Sequence, residues 1–133
     1  YCYGAFDLNE MEDSECLAEF RFYRNELPLL LEALQLPQSF NCHHGTIRDG
    51  VEALCIRLRR FAYPCRYSDL IPRFGRPVPE LSMISNLVID TFYHEHNHRM
   101  TQWNNTLLNP PLLENYARAI NLKEVHYSIA LVL

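Results

Sequence analysis

Four groups of residues in this chain of 133 have types and spacings that could do chemistry. His94-Glu95-His96-Asn97-His98 fits H-E-x-x-H, in which two imidazoles one helical turn apart hold zinc and the glutamate acts on the metal-bound water. That chemistry needs an unbroken helix, and Asn97 is expected to end it. Glu114 is the nearest third ligand in kind. The plainer expectation is a polar helix end, where histidine is favoured by the helix dipole. Cys42-His43-His44 has metal-binding types but lacks the second spaced pair that zinc sites use. Among the carboxylates, two-metal phosphoryl chemistry needs acidic residues that converge on a pair of ions. The candidates Asp49, Asp69 and Asp90 read instead as a cap, a cap and a solvated helix face. The sequence therefore assigns no catalytic residue, no metal site and no cofactor to this chain.

The fourth group is a cluster of arginines. The net charge of −4 conceals an asymmetry: residues 1–20 hold six carboxylates and no Lys or Arg, whereas residues 57–76 hold six arginines against the single Asp69. Such a cluster suits an anionic partner, and DNA affinity comes mostly from Lys and Arg on phosphates. Arg57, Arg60, Arg66, Arg73 and Arg76 are the expected phosphate contacts. Ser82 and Asn86 are the polar residues that could reach base edges, Asn being able to pair with adenine. Against this, Glu80 and Asp90 repel phosphate, and no Lys or Arg occurs between Arg76 and Arg99. The competing expectation is that the arginines pair with the Glu and Asp of the same chain.

The elements that must position these groups are helical. Ser14 is expected to cap a helix through Phe20 that breaks near Arg21. Asn25 is expected to cap a second helix that keeps Leu27, Leu30, Leu31 and Leu34 on one face and stops at Pro37. Residues 38–50 read as a loop. Asp49 then caps a helix whose apolar stripe is Val51, Leu54, Cys55, Leu58 and Phe61 or Ala62, with Arg57 and Arg60 sharing a face. After Tyr63-Pro64 comes a short helix capped by Ser68 or Asp69 and stopped at Gly75. A longer helix follows from Pro77–Pro79 toward His94. A short helix, a Gly turn and a longer helix give the outline of a helix-turn-helix. The expected interior holds Leu54, Leu58, Leu70, Leu81, Ile84, Val88 and Phe92. Pro110-Pro111 opens a last helix that ends at Asn121 and is expected to turn Leu112, Leu113, Tyr116, Ala117 and Ile120 inward. The fold class is thus all-α, five or six helices over residues 1–121, with a tail of residues 122–133 whose β-branched content could add a short C-terminal strand.

The stretch AYPCRYSDLIPRFGRPVPELSMISN resembles the N-terminal region of Harbinger-type DNA transposases. The likeness extends upstream through FRFYRNELPLLLEAL and DGVEALCIRLRRFAYP and downstream through HNHRMTQWN and LENYARAI, covering roughly Ala18 to Ile120. The family's pattern at the histidines looks like Tyr-x-x-His-x-His-Arg, matched by Tyr93, His96, His98 and Arg99. In that pattern His94 and Glu95 fall at free positions. The resemblance implies cut-and-paste transposition by a DDE nuclease domain that holds two divalent ions on three acidic residues. It also implies a first catalytic Asp in a Gly-Phe-Ile-Asp-Gly-like segment after a short strand. The tail VHYSIALVL contains no Asp, so no catalytic residue carries over, and the divalent metal is implied only for a catalytic domain beyond this chain. The implied partners are DNA, that nuclease domain in cis, and a separate Myb-like protein. Two roles compete, DNA contact and an assembly module of the transposase or of a domesticated relic.

Composition narrows the remainder. Hydrophobic content of 48% and charged content of 21% are globular values. The chain opens on Tyr1 and is expected to be a fragment. Its first residues lack the basic and apolar regions of a signal peptide, and no apolar run is long enough to cross a membrane. Five cysteines, odd in number and without a C-x-x-C pair, fit free thiols in a reducing compartment, nuclear or cytoplasmic and not secreted.

Overall fold

The computed structural model describes residues 3–42 and 47–132. The chain divides into two compact units, Tyr1–Glu95 and His96–Leu133. Six α-helices occur among the described residues, so the expected all-α class holds: α1 Asp13–Phe20, α2 Glu26–Ala33, α3 Gly50–Ala62, α4 Ile71–Phe74, α5 Val78–Thr101 and α6 Pro110–Val132. One-turn 3-10 segments stand at Leu8–Glu10 and Tyr67–Leu70.

Helix ends follow local chemistry, with corrections to the expected caps. The N-cap of α1 is Glu12, without a side-chain bond, and Ser14 lies inside the first turn. The helix stops where expected, because Arg21 takes a left-handed conformation at φ 67°. Asn25 stands at the start of α2 but makes no cap bond. Glu26 does that work instead, its Oε2 accepting from the Tyr23 N–H at 2.8 Å. The end of α2 precedes Pro37 by several residues. Gln35 turns left-handed at φ 56°, the Leu36 N–H donates to the Leu31 carbonyl and the Gln35 N–H to the Glu32 carbonyl. These two bonds form a Schellman motif, which satisfies the last carbonyls of the helix. Asp49 caps α3 as expected, its Oδ1 accepting from the Val51 N–H at 3.4 Å.

Residues 38–50 were expected as a loop. They hold two three-residue strands, β1 Ser39–Asn41 and β2 Ile47–Asp49, paired antiparallel with Phe40 opposite Arg48. Gly50 joins this hairpin to α3. Its N–H donates to the Gln38 carbonyl at 2.7 Å, and a Cβ there would stand 2.3 Å from the Pro37 carbonyl oxygen.

The short helix and its turn are positioned as expected. Its cap differs: Arg66 is the N-cap, and Asp69 Oδ2 accepts from the Arg66 N–H at 2.9 Å. The 3-10 turn passes directly into α4, which ends at left-handed Gly75, φ 61°. Gly75 is needed twice over. Its conformation disfavours a side chain, and a Cβ would lie 2.5 Å from the Gly4 carbonyl oxygen. The N-terminal segment is anchored beside it by Phe6, whose ring lies 5.0 Å from that of Phe74 and 6.4 Å from that of Phe20.

The core of the first unit gathers Phe20, Leu27, Leu31, Leu54, Cys55, Ile56, Leu70, Phe74, Leu81, Ile84 and Val88. Five of the seven residues expected inside are buried, and Leu58 and Phe92 pack against them partly exposed. In the second unit α5 continues through Asn97 to Thr101, past the expected end. Asn109 Oδ1 accepts from the Leu112 N–H at 3.0 Å and caps α6, with Pro110 at its start as expected. The tail is not a strand: α6 runs on past Asn121 to Val132. A helix satisfies each N–H and carbonyl locally, whereas a lone strand leaves them unpaired. No helix among the described residues is long and apolar enough to cross a membrane.

Candidate functional site

The arginines expected to act together fall into two sets. Arg73 and Arg76, flanking the Gly75 turn, are ion-paired within the chain. Arg73 Nε stands 3.0 and 3.2 Å from the two Glu19 carboxylate oxygens, and its Nη2 also bonds Glu15. Glu15 and Glu19 are one turn apart on α1, so both carboxylates face the same guanidinium. Arg76 grips Glu52 of α3 with both arms, Nε to Oε1 at 2.6 Å and Nη2 to Oε2 at 2.8 Å, and reaches Glu80 at 3.4 Å. The Arg76 and Glu52 side chains are only 16% and 9% exposed. Hydrogen bonds donated to Glu19 and Glu52 respectively are the main force holding the Arg73 and Arg76 guanidiniums above their ordinary pKa. Two guanidiniums meet four carboxylates here, so the turn region carries net negative charge and does not attract phosphate. The acidic lead of the chain thus serves as counterion to part of the cluster.

The second set lies on the C-terminal half of α3 and the connection after it. Arg57, Arg59, Arg60 and Arg66 form no ion pair among the described residues. Three of them lie over aromatic rings: Arg57 4.4 Å from the centroid of Phe61, Arg59 5.7 Å from Tyr63, and Arg60 4.0 Å from Tyr67. Such contacts hold a guanidinium in place without neutralising it. Arg57 is partly committed, since its Nη1 donates to the hydroxyl of buried Ser85 at 3.1 Å and its Nε is buried without a partner. Arg66 is exposed, and so are Phe61 and Tyr63, at 64% and 60%.

The base-reading candidates do not join this set. Asn86 is exposed, but it lines a groove of about 450 Å³ with Asn41, Cys42, Met83, Leu87 and Asp90, and no arginine lines it. Ser82 is half-buried on α5.

The histidine motif lies on a helix that Asn97 does not break, and His94 and His98 are both exposed. No group of three or more His, Cys, Asp or Glu able to hold a metal ion exists among the described residues. His43 and His44 of the Cys42-His43-His44 candidate lie outside the described residues. Asp49 is a cap and Asp90 an exposed helix residue, as the sequence reading had them, whereas Asp69 is not the cap but accepts from the N–H of the cap residue Arg66. Cys16, Cys42, Cys55 and Cys65 are buried and free. Burial pushes the Cys55 thiol far above its ordinary pKa and raises that of Cys16 too, so neither is a nucleophile.

Sequence reasoning missed the clamp glutamates Glu15, Glu19 and Glu52, the anchor Ser85 and the exposed rings Phe61 and Tyr63. The i, i+4 spacings of Glu15 with Glu19 and of Phe61 with Arg57 were the available signals. Comparison with known proteins found no matching family model, no matching curated protein and no matching solved structure.

Proposed function

We propose that this chain is a non-catalytic helical module of the kind that precedes the nuclease domain in Harbinger-type transposases, and that it contacts DNA phosphates through the end of α3. The stretches quoted above support the family. The carrying observation for the role is the division of the arginines, because Arg57, Arg59, Arg60 and Arg66 form no ion pair among the described residues while Arg73 and Arg76 do. In this reading the divalent ions and their acidic triad belong to a nuclease domain in cis, targeting is shared with a Myb-like partner, and the setting is nuclear.

Contact confined to phosphates gives affinity with little sequence choice, so binding falls in the non-specific range, about micromolar or weaker at physiological salt. The test is duplex binding by fluorescence anisotropy over a series of salt concentrations. Arg60→Ala and Arg66→Ala each flatten the salt slope by about one unit, whereas Arg73→Ala leaves it unchanged. Binding that is absent, or indifferent to salt, refutes the reading.

An assembly role is favoured by a separate observation. Leu113, Tyr116 and Ile120 are exposed along one stripe of α6, and Leu122 beyond them is 67% exposed. Self-association in sedimentation that is lost on Tyr116→Glu would move the assignment to that role.

A further inference from the structure

We infer that the end of α3 takes single-stranded DNA in preference to duplex, by stacking unpaired bases on Phe61 and Tyr63 beside the arginines. The inference rests on the phosphate-contact reading above and specifies the ligand of that same surface. Phe61 and Tyr63 belong to the arginine-rich stretch of the chain, yet they are exposed. Each carries a guanidinium on one side, Arg57 over Phe61 and Arg59 over Tyr63. Arg60 over Tyr67 adds a third such pair across the Pro64 connection. A guanidinium over a ring stays charged, and the planar, weakly hydrated group stacks on bases as well as on rings.

The local backbone keeps the rings outward. Arg57 and Phe61 are one turn apart on α3, so they share a face. Tyr63 is the C-cap of α3 in an extended conformation, φ −148° and ψ 130°, and carries its ring off the end of the helix. Pro64 follows and favours that extended geometry in the residue before it.

The two forms of DNA use this surface differently. A duplex keeps its bases stacked inside and offers the surface only phosphates, which leaves both rings in water. A single strand offers phosphates to Arg57, Arg59, Arg60 and Arg66 and base faces to Phe61 and Tyr63 at once. Aromatic stacking of this kind is tolerant of sequence, because every base has a π face.

The test compares a labelled oligothymidylate about twenty nucleotides long with a duplex of equal length, by anisotropy at matched salt over a series of concentrations. The protein is expected to bind the single strand at least about five-fold more tightly. The variant with Phe61→Leu and Tyr63→Leu keeps every charge and alters only exposed positions. It should lose that preference and bind duplex as the parent does, with unchanged helical circular dichroism. A parent that binds duplex as tightly as the single strand, or a preference that survives both substitutions, overturns the inference while leaving phosphate contact intact. Failure of the parent reading differs visibly, since neither probe would then show salt-dependent binding.

Discussion

Replacing Arg76 should destabilise the fold far more than replacing any other arginine of the cluster. Arg76 holds Glu52 with two bonds, at 2.6 and 2.8 Å, and Glu52 is 7% exposed as a residue on the face of α3 that packs into the core. Removing the guanidinium leaves a carboxylate buried without its counterion, a change that costs about 3–5 kcal/mol. A domain of this size has roughly 5–15 kcal/mol of stability in total. Arg76→Met, which keeps the aliphatic stem, should therefore lower the urea midpoint strongly with little change in the slope of the transition. Adding Glu52→Gln removes the stranded charge and should restore part of the loss, with a coupling of about 0.5–3 kcal/mol. Arg73→Met is the internal control. That site is wetter, with side-chain exposures of 32% for Arg73, 20% for Glu19 and 41% for Glu15, so solvent screening holds the loss below that of Arg76→Met. The measurement is urea denaturation followed by circular dichroism for five proteins, the parent, Arg76→Met, Glu52→Gln, the double variant and Arg73→Met. If Arg76→Met costs less than Arg73→Met, or Glu52→Gln brings no relief, the buried clamp is not what holds α3 to the turn.

Leu81 is fully buried, and Leu81→Ala should cost about 2–5 kcal/mol in the same assay, whereas a change within about half a kcal/mol would place it at the surface. Gly75→Ala should destabilise by more than about 1 kcal/mol, since it combines a left-handed conformation with a Cβ only 2.5 Å from the Gly4 oxygen, and an unchanged melting temperature would show that the N-terminal segment is not seated there. Burial raises the Cys55 thiol, so the folded protein keeps a proton that the unfolded chain releases above about pH 8.5. Its contribution is fully present below that pH and falls as pH rises above it, so urea melts from about pH 8 to pH 10 should show stability dropping with pH and Cys55→Ala flattening that limb.

The parts of the fold that were legible in the sequence are those fixed by local chemistry over a full helical turn or more. The α3 stripe, its Asp49 cap, the stop at Gly75 and the Pro110 start all combine a periodic apolar face with a residue whose backbone preference is strong. The failures are cases where a weak preference was asked to decide. Asn97 and Asn121 disfavour helix interiors by less than about 1 kcal/mol each, which the hydrogen bonds of an established helix override. The hairpin escaped because its strands are three residues long, too short to show alternation, and because the Gly50 N–H to Gln38 carbonyl bond that closes it is not a pattern in the sequence.

The site was legible in residue type but not in its division, and a local rule would have divided it except at Arg66, which has Asp69 three residues after it yet forms no ion pair among the described residues. Arg73 has Asp69 four residues before it and Arg76 has Glu80 four residues after, so both arise in stretches where a carboxylate is one turn away. Arg57, Arg59 and Arg60 have no carboxylate three or four residues to either side. The partners that dominate, Glu19 for Arg73 and Glu52 for Arg76, are distant in sequence and come from tertiary packing, which no spacing reveals. The local carboxylates still mark which arginines belong to a region of mixed charge, where further acidic side chains are needed to complete the pairing. Arginines on a helix without that company are held by rings instead of carboxylates, and a ring fixes a guanidinium while leaving its charge available. In the proposed reading the surface that meets an anion is therefore the end of α3, while the ion pairs beside the Gly75 turn fasten the fold.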